Sequence, residues 1–184
     1  MASKAAIPVD IALNLSDENL VRLIILTKKI GLKCTKKIFH KYFPKDAIQL
    51  YHALLPYKNR LKLFPDQARI LFGTPAQGSD IDNYDLSLML KIVALKNDPN
   101  ANILKLLQEF RNFLAHYPSK TLPDTVYKQK YQVIKQILMQ LGASSAEIDY
   151  FLTSQINISG DERQKIIEEL LRDIRDRTTG NNVG

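Results

Sequence analysis

The sequence predicts an all-α protein, and three observations favour that class. Apolar residues recur every three or four positions in each long segment, as they do on the buried face of a helix. Residues that start or stop helices, chiefly serine, aspartate, glycine and proline, stand between these segments. No stretch alternates apolar and polar residues as a strand does, and no strand–helix–strand rhythm is present. We therefore expect a bundle of about seven to nine helices joined by short connections.

The N-terminal part of the chain predicts three helices and one irregular segment. Ser16 begins the first helix, because its hydroxyl can accept a hydrogen bond from the first turn, and Gly31 is expected to end it. A second helix is predicted over residues 34–43. A third follows and ends before Pro56, because proline disfavours helical geometry in the residue that precedes it. Residues 64–72 are expected to form one or two short turns.

The central part predicts a loop followed by two helices. Residues 73–83 are rich in turn-forming residues. Asp85 can then cap a helix over residues 86–96, which is apolar almost all round and is therefore expected to be buried. The next helix is predicted over residues 103–117, and Pro118 ends it.

The C-terminal part predicts three more helices. Asp124 caps the first of them, and Gly142 ends it. Two serine–glutamate pairs with the spacing of a capping box begin the other two helices: Ser144 with Glu147, and Ser159 with Glu162. The final helix extends over residues 164–177. Five apolar residues from the helical stripes are predicted to be core: Met89, Ile92, Leu107, Phe110 and Leu138.

Length and composition indicate one folded domain. Hydrophobic residues make up 45% and charged residues 24% of the 184 residues, which is typical of a globular protein. We expect the domain to cover residues 16–177, with an N-terminal extension over residues 1–15 and a disordered tail over residues 178–184. No apolar run approaches the ~20 residues of a membrane-spanning helix, and the N-terminus lacks the layout of a secretory signal. The lone Cys34 is typical of a reducing compartment, so we expect a cytoplasmic protein that does not enter a membrane.

Basic residues are concentrated in one segment. The net charge is +7, and residues 28–62 hold many lysines against a single acid, Asp46. Such a concentration of positive charge attracts polyanions such as RNA or acidic protein surfaces. Four lysines of this segment are the candidate RNA-binding residues: Lys33, Lys36, Lys37 and Lys41. The alternative is that the lysines form a solvated helix face that maintains solubility.

Most familiar catalytic signatures are absent from the sequence. It contains no glycine-rich phosphate loop, no paired cysteine and histidine spacing for a metal, and no nucleophile elbow. We therefore expect no cofactor and no bound metal. Cys34 lies on an apolar stripe and is expected to be a buried structural residue. His40 and His52 have no evident ligand partner, so they are interpreted as surface or packing residues.

The segment RNFLAH, residues 111–116, carries three polar residues near the end of a helix that otherwise serves the core. Asn112 and His116 are four residues apart and share a face, so the amide can orient the imidazole. Arg111 lies five residues before His116, roughly 140° around the helix, so one copy does not bring the two together. The alternative is a helix end that carries ordinary surface polar residues.

RNFLAH resembles the R-N-x-x-x-H motif of HEPN domains, which are all-α, usually dimeric, and in many cases metal-independent endoribonucleases or RNA-binding modules. Four further segments resemble the branch of HEPN domains found in the DAZ-interacting zinc-finger E3 ubiquitin ligase: residues 67–72 (QARILF), 85–90 (DLSLML), 118–119 (PS) and 141–142 (LG). The resemblance covers residues 20–156 and implies a HEPN-like bundle. Tyr131 stands where tryptophan is expected in relatives, a difference expected to affect packing only.

The resemblance also implies a chemistry. Cleaving RNA through its own 2′-hydroxyl needs a base for that proton, an acid for the leaving 5′-oxygen, and a cation beside the phosphorane. As candidate catalytic residues, His116 can take either proton role, Arg111 can contact the phosphate and Asn112 can orient the imidazole. One histidine cannot easily be base and acid in the same step. The resemblance therefore implies a homodimer with both motifs at its seam, acting on single-stranded RNA.

A second function stays open on the sequence. The chain offers no second acid or base near the motif, and this branch of HEPN domains occurs in multidomain proteins. Both points favour a non-catalytic protein-interaction or oligomerisation module of a larger signalling or innate-immune protein. The intact R-N-x-x-x-H motif favours the RNA-binding and cleaving function instead.

Overall fold

The computed structural model describes residues 15–119 and 121–154. Several expectations fall outside these residues: nearly all of the N-terminal extension, the Ser159–Glu162 capping box, the helix over residues 164–177 and the tail over residues 178–184. The described residues form seven α-helices and no β-strand, so the all-α prediction is confirmed for them. The helices are α1 Leu15–Tyr42, α2 Ala47–Leu54, α3 Pro65–Phe72, α4 Leu86–Val93, α5 Ala101–Ala115, α6 Asp124–Gln140 and α7 Ser145–Ser154. Short 3₁₀ turns lie at Leu55–Tyr57 and Ile81–Asn83.

Helix α1 is a single helix of 28 residues, so the prediction that Gly31 ends a first helix is wrong. Gly31 is buried where other side chains approach the helix backbone closely. A Cβ atom there would stand 3.3 Å from Leu86 Cδ2 and 3.5 Å from Leu107 Cδ1. Glycine is present at this position because neighbouring leucines leave little space for a side chain, and the helix continues through it.

Several helix ends differ from the predictions, each for a local reason. Residues 65–72 form a regular helix of eight residues where the sequence predicts one or two short turns, because Pro65 suits its first position and Gln67 Oε1 accepts a hydrogen bond of 3.2 Å from the Phe64 N–H. Helix α4 ends at Val93, three residues early, because Lys96 N–H donates to the Val93 carbonyl in a tighter turn. The predicted cap of α4 is confirmed: Asp85 Oδ1 accepts from the Leu88 N–H at 2.7 Å.

The described residues group into two compact units. The first comprises those within residues 1–27, 109–136 and 144–184, and the second comprises residues 28–108 and 137–143. All five predicted core residues are buried: Phe110 belongs to the first unit, and Met89, Ile92, Leu107 and Leu138 belong to the second. No helix among the described residues is both long enough and apolar enough to cross a membrane.

A buried amide fixes the start of α6 in the first unit. Asn19 of α1 donates through Nδ2 to the Leu122 carbonyl oxygen at 3.0 Å and to Asp124 Oδ1 at 2.7 Å. Asp124, which the sequence predicts as the cap of this helix, is the first residue of α6. Because Asn19 is itself buried, replacing Asp124 would leave one of its N–H groups without this partner.

Candidate functional site

The R-N-x-x-x-H segment lies at the C-terminal end of α5, in the first unit. The helix ends at Ala115, two residues earlier than predicted, so His116 is the first residue after it. The His116 N–H still donates to the Asn112 carbonyl oxygen at 2.9 Å, which holds the turn at the helix end. The His116 side chain is exposed. An exposed imidazole at a fixed helix end is accessible to a polymeric substrate.

The structure joins two of the three predicted catalytic residues directly. An Arg111 guanidinium nitrogen donates to Asn112 Oδ1 over 3.4 Å, a long and therefore weak hydrogen bond. Both side chains are half-buried, and Arg111 stands three residues before the buried Leu114. Arg111 is thus partly covered within the protein, whereas His116 is exposed.

A cation and two aromatic rings lie beside the motif and were not identified from the sequence. The rings of Phe113 and Tyr117 meet edge to face with centroids 5.6 Å apart. Lys130 of α6 places its Nζ atom 4.2 Å from the centre of the Phe113 ring, a cation–π contact. Phe113 and Tyr117 are four residues apart, and this spacing is visible in the sequence. Lys130 comes from another helix, so only the fold reveals it.

Tyr131 ties α6 to α7 within the first unit. Its hydroxyl donates to Asp149, and Lys135 Nζ contacts both oxygens of the same carboxylate at 2.9 and 3.0 Å. The hydrogen bonds from Tyr131 and Lys135 lower the pKa of Asp149. The Tyr127 and Tyr131 rings stack with centroids 6.3 Å apart. Tyrosine at this position therefore adds a polar link between helices, beyond the packing effect that the sequence predicts.

The four candidate RNA-binding lysines lie on the second half of α1, in the second unit. All four side chains are exposed: Lys33, Lys36, Lys37 and Lys41. The other three lysines follow Lys33 by three, four and eight residues, which places all four on one helix face. Cys34 is buried, which confirms its predicted structural position. We call the four lysines the α1 lysine face.

His40 borders the α1 lysine face and is partly buried. Its Nδ1 atom is buried and has no hydrogen-bond partner among the described residues. Burial lowers the pKa of His40, and the charges of Lys36 and Lys45 add to the lowering, while a hydrogen bond with the Phe43 backbone opposes it. His40 is therefore neutral at pH 7 and adds no charge to the lysine face.

A cavity of about 260 Å³ lies in the second unit beside a buried carboxylate. Leu90, Val93 and Leu104 contribute apolar walls, and Asp98 contributes a charged group. Burial acts to raise the pKa of Asp98, but hydrogen bonds from the Tyr42 hydroxyl and the Asn100 N–H outweigh it and lower that pKa. The carboxylate thus has partners within the protein, and its contacts tie α1 to the segment before α5.

Within the part of the chain that the structure describes, no group of three or more histidine, cysteine, aspartate or glutamate side chains is arranged to hold a metal ion. No protein-family model matches the sequence, and neither the curated proteins nor the solved structures contain a match to it.

Proposed function

We propose that this chain is a HEPN-like domain that binds single-stranded RNA and cleaves it without a metal ion. The proposal rests on the arrangement at the end of α5. There the Arg111 side chain donates a hydrogen bond to Asn112, and the His116 imidazole is exposed one residue beyond the helix. A histidine can take the proton roles in RNA transesterification, and an arginine can contact the phosphate. The resemblance of RNFLAH to the HEPN motif supports the same function.

The proposed reaction uses the RNA as its own nucleophile. A His116 imidazole removes the proton of a 2′-hydroxyl, and the 2′-oxygen attacks the adjacent phosphorus. The bond from phosphorus to the 5′-oxygen breaks, and an imidazolium donates a proton to that oxygen. The products are a 2′,3′-cyclic phosphate and a free 5′-hydroxyl. Arg111 stabilises the charge that develops on the phosphoryl oxygens.

Two copies of the chain would supply the second histidine that one copy lacks. Base and acid are needed in one step, and each chain has a single histidine in the motif. The spacing of five residues between Arg111 and His116 also corresponds to roughly 140° of helical rotation, which does not favour their convergence within one copy. A twofold axis beside the end of α5 would set Arg111 of one chain near His116 of the other, because a twofold interface repeats each contact.

Mixing two inactive chains tests the shared site. Arg111→Ala and His116→Ala should each abolish cleavage alone, since each removes one partner from both sites. When the two variants are mixed, hybrid dimers hold one intact pair of Arg111 and His116. Partial activity should return, because the remaining His116 can act as base beside the arginine while water protonates the leaving oxygen. Circular dichroism of each variant shows that it is folded. Mixed chains that form hybrids but cleave no more RNA than either variant alone would contradict the shared site.

A second candidate function is a non-catalytic interaction module. It is favoured by exposed apolar side chains of the first unit, since Tyr150 is 73% exposed and Val133 is 45% exposed. Replacing both with serine should then weaken self-association or partner binding while the helical content is unchanged. A chain that leaves RNA intact but loses association in this variant would favour the second function over the first.

A further inference from the structure

A cluster of cations and aromatic rings lies in the second unit, apart in sequence from the α1 lysine face. It centres on Tyr57, at the end of the 3₁₀ turn after α2. The Arg60 guanidinium carbon lies 5.6 Å from the centre of the Tyr57 ring, and Lys96 Nζ lies 5.0 Å from it. Lys96 Nζ also donates to the Tyr57 hydroxyl at 2.8 Å. One ring therefore holds two cations. We call Tyr57, Lys58, Arg60, Lys62, Phe64 and Lys96 the Tyr57 cluster.

Other contacts fix the rest of this cluster in place. Lys58 Nζ lies 5.4 Å from the centre of the Phe72 ring. Lys91 Nζ lies 4.7 Å from the centre of the Phe64 ring and donates to the Lys62 carbonyl oxygen at 3.0 Å. These contacts hold the backbone at Lys62 and one side of the Phe64 ring. Phe64 is nevertheless 52% exposed, so part of the ring that Lys91 contacts faces solvent.

The positive charge of the Tyr57 cluster is not balanced by nearby acids. Residues 47–65 contain no aspartate or glutamate. Among the described residues, no carboxylate forms an ion pair with Lys58, Arg60 or Lys62, whereas Arg69 pairs with Asp66 at 2.6 Å just beyond this segment. Cations held close together by rings repel each other, and an anion bound among them would relieve that repulsion. The cluster is therefore complementary to a negatively charged ligand.

We propose that the Tyr57 cluster is a second binding surface for single-stranded RNA. Lys58, Arg60 and Lys62 bind backbone phosphates, and a base stacks on the exposed part of the Phe64 ring. Single-stranded nucleic acid is commonly bound by this combination of basic groups and exposed aromatic rings. The exposed ring favours RNA over an acidic peptide, since carboxylate side chains offer no flat surface to stack on it. The inference takes its ligand from the proposed function and adds a site that neither the motif nor the α1 lysine face contains.

Binding of RNA at different salt concentrations tests this surface. The probe is a labelled single-stranded RNA with 2′-O-methyl groups, which cannot be cleaved through the 2′-oxygen. Lys58→Ala combined with Lys62→Ala should weaken binding and make the slope of log affinity against log salt shallower by about 1.4, since each phosphate contact with a single strand contributes about 0.7. Lys105→Ala combined with Lys128→Ala is the matched control, because it removes two exposed lysines outside the cluster.

The aromatic part of the site needs its own pair of variants. Phe64→Ala should weaken binding by about five-fold or more, because a stacked base contributes on that scale, and Phe64→Tyr should restore it. A wild-type chain that binds no RNA would overturn both the proposed function and this inference. Wild-type binding with an unchanged slope and affinity in the cluster variants would overturn this inference alone. Displacement of the RNA by polyglutamate at equal ionic strength, with no effect of Phe64→Ala, would assign the cluster to an acidic protein instead.

Discussion

His40 lies in the last turns of α1 with a buried Nδ1 atom, and burial lowers its pKa in the folded protein. The unfolded chain therefore takes up a proton more readily than the folded one. The stability due to neutral His40 is complete above the unfolded pKa of about 6.5 and is lost as pH falls from there toward the folded pKa. We expect the free energy of unfolding in urea to decrease between about pH 7.5 and about pH 5, and His40→Gln to reduce that decrease.

His52→Gln is the matched control for His40, because it removes an exposed histidine from α2. Circular dichroism during urea unfolding gives the free energy for each chain. Equal pH dependence in wild type and His40→Gln would show that another group causes the loss of stability at acid pH.

Two glycines with positive φ distinguish the energetic cost of backbone strain from the cost of a steric clash. Gly142 has a φ of 107° and open space around it, whereas Gly78 has a φ of 79° and a Cβ there would stand 2.3 Å from the Ala47 carbonyl carbon. Gly142→Ala should therefore lower the free energy of unfolding by roughly 1–2 kcal/mol through strain alone. Gly78→Ala should lower it by more than about 3 kcal/mol, because backbone atoms must also move. Equal losses in thermal or urea unfolding would contradict this account of Gly78.

The roles of residues within one helix could be predicted from the sequence. Contacts between residues of different helices could not. The positions of Asn112 and His116 follow from helical spacing, and Asp85 could be identified as a cap because its acceptor serves the adjacent turn. Lys130 and Lys96 are different, since their aromatic partners lie on other segments of the chain. Sequence spacing contains no information on which distant lysine will lie over which ring.

At the scale of elements, α1 shows how packing overrides a local stop signal. Glycine often ends a helix, yet α1 continues through Gly31 because Leu86 and Leu107 pack against its backbone there. Gly31→Leu should therefore lower the free energy of unfolding by about 1–3 kcal/mol, as expected when a side chain is forced into a filled space. Lys37→Leu is the control, because it adds leucine at an exposed position of the same helix.

Chemical unfolding monitored at the helical band measures both variants. If Gly31→Leu is as stable as Lys37→Leu, the close approach of the leucines does not explain the glycine. A gain of stability would indicate instead that helix propensity governs this position.

At the scale of the whole molecule, the all-α class could be predicted because helical periodicity is a local property of each segment. The grouping of the described residues into two units could not be predicted in the same way. Each unit combines segments distant in sequence, such as residues 28–108 with residues 137–143. Such a grouping depends on which apolar stripes meet, and the stripes of Met89 and Leu138 do not reveal this from their spacing.

The charge distribution gives a prediction for the whole molecule in solution. Lys36→Glu, Lys37→Glu and Lys41→Glu together should weaken binding of single-stranded RNA, and the salt slope should become shallower by about 2, as three phosphate contacts are lost. Titration of labelled RNA at several salt concentrations measures both quantities.

A control variant with three charge reversals elsewhere tests whether RNA binding depends on the position of the lysines as well as on the net charge. Arg69→Glu, Lys105→Glu and Lys128→Glu together change the net charge equally and replace three exposed cations outside the α1 lysine face. If RNA affinity and the salt slope decrease equally in both triple variants, the α1 lysine face is only a solvated surface.

Incubation of single-stranded RNA with the purified chain in excess EDTA tests directly whether Arg111 and His116 are catalytic. We expect wild type to cut the RNA and leave 2′,3′-cyclic phosphate ends, whereas the Arg111→Ala, His116→Ala double variant, folded by circular dichroism, should not. Intact RNA with the wild-type chain, or equal cutting by the double variant, would contradict the assignment of Arg111 and His116 as catalytic residues.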